Sequence, residues 1–222
     1  MLKSEFIIAF EGIDGSGKTT QCLMLKKYLT RKGIKARIIG RRFLLSTLLS
    51  FFISSDIIIT DRYTHTIKIY LNLTSVSDPG KQPVNYVKNR LLSWFLVKLP
   101  KPKLLFFLDI DTNSALKRLK KRNRKPDKYE TPEFLEIFAI GYRKEFLREQ
   151  KNVHQLNAHH SIEQLHKKTV AILTSAISLG NGFGSTFLSQ SALCPRKQSL
   201  YITSVHNKTQ HRSRRTRNNY FR

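Results

Sequence analysis

The sequence predicts an α/β fold, a three-layer sandwich with about five parallel strands flanked by helices. Three observations point there. Short apolar runs of strand length recur along residues 1–178. Segments with helical spacing separate them. A glycine-rich turn follows the first run and opens directly into the first helical segment. Strands that alternate with helices pair in parallel through right-handed crossovers. Ligands of such sheets sit at the carboxyl ends of the strands.

In chain order, residues 5–10 form an apolar run that reads as a buried strand. Residues 18–32 place Cys22, Leu25, Tyr28 and Leu29 on one helical face, and Gly33 supplies a stop. Residues 35–39 read as a second strand, 43–52 as a helix and 57–60 as a third strand. Residues 85–99 read as a helix that Pro100 and Pro102 end. Residues 104–108 are a fourth strand. Residues 112–121 are a helix for which Asp111, Thr112 or Asn113 can serve as cap. Residues 132–150 make another helix, 153–156 a fifth strand and 161–173 a last helix. There Ser161 and Gln164 have the spacing of a capping box.

Composition narrows the class. The 222 residues carry 40 Lys plus Arg against 15 Asp plus Glu, a formal net charge of +25, with 40% hydrophobic and 10% aromatic residues. That much apolar material excludes wholesale disorder. The two cysteines, Cys22 and Cys194, make neither a disulfide framework nor a zinc cluster, and their use fits a reducing, cytoplasmic setting. The first residues have no long apolar core, so no signal peptide is expected. The most apolar stretch, residues 43–59, is too short and too polar to cross a bilayer, and no membrane association is expected. All carboxylates precede residue 164. Residues 179–222 hold eight Lys or Arg and no Asp or Glu, with much Ser, Thr, Asn and Gln. This segment reads as a basic, disordered tail attached to a domain of residues 1–178. Such a tail can grip nucleic acid or remain a solvated extension, and nucleic-acid binding is not the favoured reading.

The strongest chemical signal is Gly12-Ile13-Asp14-Gly15-Ser16-Gly17-Lys18-Thr19, a full match to the phosphate-binding P-loop pattern between a strand and a helix. The glycines let the backbone wrap a phosphate chain without Cβ clashes. Loop N–H groups and the helix N-terminus face the anion, so the loop through Thr20 forms the ATP cradle. Lys18 can reach the β- and γ-phosphates, and the Thr19 hydroxyl can ligate Mg²⁺. Asp61 ends the third strand. A carboxylate there can hold a magnesium-bound water, or can cap the following helix. No Ser/His/Asp arrangement and no paired catalytic carboxylates stand out. That fits phosphoryl transfer, which rests on positioning and electrostatics. His154, His159, His160 and His166 cluster in sequence without a clear ligand spacing.

The segment from Phe10 to Gln21 resembles the opening of thymidylate kinases, a family of P-loop nucleoside monophosphate kinases. So do Asp61-Arg62-Tyr63, the stretch from Leu104 through Leu119, the basic run from Arg118 to Arg124, Gly141-Tyr142, and Asn157-Ala158 before Ser161. The resemblance covers roughly residues 4–175 and implies a P-loop NTPase fold. It implies transfer of the γ-phosphoryl group of ATP, with Mg²⁺, to a nucleoside monophosphate, with dTMP favoured. By the same resemblance Arg62 clamps the acceptor phosphate, and Asp14 lies on the acceptor side. Asn157 and Ala158 lie near the adenine, Tyr70 borders the acceptor pocket within a helix over residues 64–70, and the protein is a homodimer. It also makes the basic run a lid in which Arg118, Arg122 and Arg124 can stabilise the transferring group. The other reading of that run is a solvated helix end.

The chain departs from the family between Lys18 and Asp61, where only 42 positions intervene. The family's Arg-Glu-Pro-Gly-Gly turn is missing. Arg41 or Arg42 can replace its phosphate-binding arginine. Phe43, Phe51 and Phe52 are candidates for base stacking or for core packing. Base choice is therefore open, and another nucleotide or a nucleoside is the alternative acceptor. A protein that has lost kinase activity and binds nucleotide or nucleic acid is the third reading. Residues 85–99, with Val87, Leu91, Trp94, Phe95 and Leu96, supply either a dimer face or a buried core helix.

Overall fold

The apolar runs assemble into one five-stranded parallel sheet in the order β2-β3-β1-β4-β5. The structure, a computed structural model, describes residues 6–40, 55–76, 94, 99–122, 125–127, 129–148 and 152–179. The strands are β1 (Phe6–Glu11), β2 (Ala36–Ile39), β3 (Ile57–Asp61), β4 (Leu104–Asp109) and β5 (Val153–Asn157). The helices are α1 (Lys18–Arg31), α2 (Thr64–Val76), α3 (Thr112–Lys120), α4 (Pro132–Arg148) and α5 (Ile162–Leu179). β1 lies at the centre because it is apolar on both faces, and residues 7–11 are all buried. Its pairing with β3 sets Phe10 opposite Asp61, and its pairing with β4 sets Phe10 opposite Phe106. The last residues of β1 and β3 therefore lie side by side at one end of the sheet. There the loop after β1 and the turn after β3 meet.

Each face of the sheet has its own aromatic layer. Phe106 stacks on Phe10 at 5.1 Å and lies 5.7 Å from His154, a row across β1, β4 and β5. Its neighbour Phe107 points to the opposite face by strand alternation. It stacks on Phe146 at 4.6 Å and on Tyr142 at 5.7 Å, and so fastens α4 to the sheet. α1 packs on α5 and on β2 and β3, while α4 packs on α2 and α3.

Several expectations are refined. β1 runs one residue further, to Glu11, and β3 to Asp61. Of the three possible caps of α3, Asp111 accepts the bond from Ser114 N at 2.8 Å, and this bond lowers its pKa. Ser161 and Gln164 exchange the expected capping-box bonds at 3.1 and 3.2 Å. α5 continues to Leu179, past the expected end at residue 173. Thr and Ser supply three of its last nine residues. Yet Thr174, Ser175 and Ser178 return their hydroxyl protons to the carbonyls of Val170, Ala171 and Thr174. Leu173 and Ile177 stay buried on the same stretch. α2 likewise runs past residue 70, to Val76.

The expected helix over residues 43–52, Arg41 and Arg42, Arg124, and residues 180–222 of the tail lie outside the described residues, while Leu179, expected as the first tail residue, ends α5. The helix over residues 85–99 lies outside them too, except for Trp94 and Leu99. Trp94 is 64% exposed, which removes it from the core. Among the described residues no helix is long and apolar enough to cross a membrane.

Candidate functional site

The loop between β1 and α1 folds back on itself. Ser16 N donates to Ile13 O at 3.2 Å. Gly15 and Gly17 occupy left-handed backbone, with φ of 88° and 101°. They need it for different reasons. A Cβ on Gly15 would stand 2.5 Å from the backbone oxygen of Ala115 in α3, so this glycine lets the loop and α3 touch. A Cβ on Gly17 would meet nothing within 4 Å, because this residue starts α1 beside open space. No side chain caps α1, and its first turn has no acidic residue. The free N–H groups and positive end of the dipole are left for an anion.

Lys18 crosses that hollow. Its Nζ donates to Ile13 O at 2.7 Å and to Ser16 Oγ at 3.4 Å, and the residue is only 5% exposed. Burial brings its pKa from 10.5 down to about 8, helped by the positive charge of Arg62 and opposed by Asp14, Asp61 and Glu11. Below pH about 8 the ammonium is charged and ready for an anion. Above it, a polyphosphate that binds must also restore a proton to Lys18. ATP affinity is therefore expected to fall by up to about tenfold per pH unit above pH about 8. Titration calorimetry at pH 7 and pH 9.5 checks this. Equal affinities would show that Lys18 keeps its proton across this range and that burial does not lower its pKa to about 8.

Two oxygen groups converge on the other side of the loop. Thr19 Oγ1 donates to Asp61 Oδ2 at 2.5 Å, which joins the start of α1 to the end of β3. A hydroxyl and a carboxylate suit a hard cation that keeps water and phosphate oxygens in its shell. Among the described residues no three His, Cys, Asp or Glu groups come together as a metal cage, and the sequence-clustered histidines form none.

Arg62 follows Asp61 with φ of 80°, left-handed backbone that a side-chain-bearing residue adopts at a cost. Its N–H donates to Phe10 O at 2.9 Å. Its Nη2 donates to Asp14 Oδ1 at 2.6 Å, and its Nη1 lies 3.3 Å from Tyr142 Oη and 3.5 Å from Thr66 Oγ1. Burial opposes the guanidinium charge. The oxygens of Tyr142, Asp14 and Glu11 outweigh it and hold the pKa above its ordinary value.

Arg62 and Asp14 stand at the edge of a cleft of about 260 Å³. Tyr70 of α2, Tyr129, and Phe134 and Phe138 of α4 wall it. Tyr70 and Tyr129 meet edge-on at 6.1 Å with their hydroxyls 3.3 Å apart, and Phe134 stacks on Phe138 at 5.6 Å. Thr66 and Asp127 line it too, so aromatic rings, one guanidinium and two carboxylates face the same space; aromatic walls can stack on a ring, and a guanidinium can grip an anionic group. Tyr70 was expected here. Tyr129, Phe134 and Phe138 were not. Their signal is the four-residue spacing of Phe134, Phe138 and Tyr142 along α4, which sequence alone cannot separate from ordinary core packing.

The opposite flank holds Asn157 and Ala158. Ala158 N donates to Asp109 O at 2.8 Å, and Asn157 Oδ1 accepts from His159 N at 3.0 Å. Arg118, one turn beyond the Ala115 contact with Gly15, reaches into this turn. Its Nη2 donates to Ala158 O at 2.7 Å. Arg122 is exposed just past α3, and Thr20 is exposed on the first turn of α1. Lys18, Thr19, Asp61, Asp14 and Arg62 thus meet around one loop, while Arg118 stands with Ala158. Glu11, fully buried at the end of β1, is the site residue that composition hides most completely.

Comparisons with known proteins agree with this fold. A family model described as Thymidylate kinase matches residues 10–47 and 53–169. The chain is 29% identical over 199 residues to a probable thymidylate kinase of Sulfurisphaera tokodaii, covering 77% of this chain and 96% of that one. It is 31% identical over 168 residues to a thymidylate kinase of Thermosipho melanesiensis, covering 61% and 81%. Among solved structures, deoxyadenosine kinase from M. mycoides, with products dCMP and a flexible dCDP bound, superposes with a TM-score of 0.58 at 18% identity. That match covers 77% of this chain and all of the other, and it speaks for the fold.

Proposed function

This chain belongs to the thymidylate kinase family, and from that membership we propose that it transfers the γ-phosphoryl group of ATP to the phosphate of dTMP, giving dTDP and ADP. The observation that carries the reading is the Arg62–Asp14 pair at 2.6 Å, which stands between the phosphate loop and the aromatic cleft. ATP lays its phosphates in the loop from Gly12 to Thr20. Lys18 leaves Ile13 O for the phosphate oxygens and balances the charge that develops on them. The thymine slides between the cleft aromatics, and Arg62 takes the acceptor phosphate in a two-point grip. An oxygen of that phosphate then attacks the γ-phosphorus in line, and the bond to the β-phosphate oxygen breaks.

Thr19 and Asp61 are the groups that would hold Mg²⁺, directly or through water. The ion, when bound, spreads the charge of the β- and γ-phosphates. Arg118, Arg122 and Arg124 are the lid candidates, and Arg118 also holds the Ala158 carbonyl at the turn assigned to the adenine. Arg41 is a further candidate for the acceptor phosphate. A cytoplasmic location and a homodimer complete the proposal.

An assay that couples ADP release to a colour change, run over a panel of nucleoside monophosphates and nucleosides, tests the reading. The highest kcat/KM is expected with dTMP. A different best acceptor would move the substrate assignment, and no acceptor-dependent ADP release would overturn the kinase assignment. Removal of residues 180–222 is expected to leave ATP affinity within about twofold, because the described site residues all precede them. Loss of ATP binding by a folded truncation would contradict that boundary.

A further inference from the structure

Glu11 has no place in the chemistry above, yet it is 0% exposed and stands one residue before the phosphate loop. A carboxylate so buried needs its oxygens satisfied. Four donors do so. Glu11 Oε1 accepts from Tyr63 N at 2.8 Å and from Thr66 N at 3.2 Å. Its Oε2 accepts from Thr66 Oγ1 at 2.6 Å and from Tyr142 Oη at 3.0 Å. His65 Nδ1 lies 3.8 Å from Oε1.

The choice of donors matters. Tyr63 directly precedes α2, where a capping Ser, Thr, Asp or Asn would ordinarily stand, and Thr66 lies in the first turn. Glu11 takes the cap's place from another element. Thr66 and Tyr142 are the same two hydroxyls that flank Arg62 Nη1. Phe10, the residue before Glu11, accepts the Arg62 N–H. The end of β1 therefore grips Arg62 twice, through its left-handed backbone and through the hydroxyls beside its guanidinium. Asp14 holds the other nitrogen. Burial, with Glu11 beside it, pushes the Tyr142 hydroxyl pKa well up, so that proton stays on the bridge.

We propose that Glu11 is a positioning residue for the acceptor side: through Tyr63, Thr66 and Tyr142 it fixes the strained turn and the guanidinium of Arg62. A helix cap alone would need only the two backbone bonds. The two hydroxyl bonds reach the arginine, and they distinguish this role from capping. The inference rests on the proposed reading of Arg62 as the acceptor-phosphate ligand.

The test compares full-length wild type, Glu11→Gln, Arg62→Lys and the double variant, with KM taken separately for dTMP and ATP. Glu11→Gln keeps the shape and removes the charge. It is expected to lower kcat/KM for dTMP by about 30- to 100-fold while the KM for ATP moves by no more than about twofold. In the Arg62→Lys background the same change is expected to cost less than about threefold, since the fork it positions is gone. The overturning results are a dTMP and an ATP KM that rise together, effects that simply multiply, or unchanged kinetics. Thr66→Val, which cuts the hydroxyl bridge and leaves the Thr66 N–H bond, is expected to show the same split in smaller measure. It decides the matter by the same criteria if Glu11→Gln does not fold. If wild type transfers phosphate to no nucleotide, the functional reading fails by itself. A crystal structure of Glu11→Gln then judges the clamp: Arg62 released from Asp14 supports it, and Arg62 unmoved overturns it.

Discussion

Lys18→Ala is expected to lower kcat by at least about 10²- to 10³-fold, the scale for loss of one preorganised charge at a reacting group. The fold is expected to remain. The structure gives a reason for more than survival. The buried ammonium has a pKa lowered from 10.5 to about 8. A lysine depressed in this way destabilises the native state fully below its folded pKa, and the penalty fades as pH rises from about 8 towards 10.5. At neutral pH the penalty is on the order of 3 kcal/mol. Alanine removes it and gives up the bond to Ile13 O, worth about 1 kcal/mol. The variant should therefore melt no lower than wild type at pH 7 while it turns over almost nothing. Single-turnover kinetics together with a melting curve measure both halves. Near-wild-type turnover would remove Lys18 from the chemistry.

Gly15→Ala should have the opposite character, with structure and binding lost together. The new Cβ would meet Ala115 O at 2.5 Å and Ala115 C at 3.0 Å, which are backbone atoms of α3 that cannot rotate away. The residue also stands at φ of 88°, where a Cβ costs about 1–2 kcal/mol before any clash. With overpacking added, about 3 kcal/mol is expected, or roughly 6–12 °C in melting temperature for a chain of this size. Relief requires the loop to part from α3, which opens the hollow around Lys18. Calorimetry should find no ATP binding at concentrations that saturate wild type. A variant that melts within about 2 °C of wild type and binds ATP normally would show that the loop and α3 do not need this close approach.

The parts of this architecture that sequence reveals are those with local causes. β1, β3 and β4 are buried on both faces, so each appears as an unbroken apolar run. The loop from Gly12 to Thr19 is legible because its chemistry needs glycines and a lysine at fixed spacing. Asp61 is legible because it ends a strand, and there its carboxylate accepts the Thr19 hydroxyl. The rest depends on contacts between distant segments. Glu11 bonds to residues 52, 55 and 131 positions away. Nothing near it in sequence reveals those partners. Phe134 and Phe138 share the helical spacing of core residues, and only the placement of α4 beside α2 turns them toward a cleft. Arg118 sits in a run of cations whose composition suggests solvent. Its 40-residue reach to Ala158 is a product of β5 lying beside β4. The Ser and Thr residues late in α5 hide a helix because their hydroxyls bond within it.

The most direct test is a crystal structure with magnesium, a non-hydrolysable ATP mimic and dTMP bound together. The account predicts the polyphosphate wrapped by the backbone from Gly12 to Thr19 with Lys18 Nζ moved from Ile13 O onto it. It also predicts the thymidylate phosphate on Arg62 and the thymine among Tyr70, Tyr129, Phe134 and Phe138. An empty or collapsed loop, or a thymidylate seated away from Arg62, would contradict it.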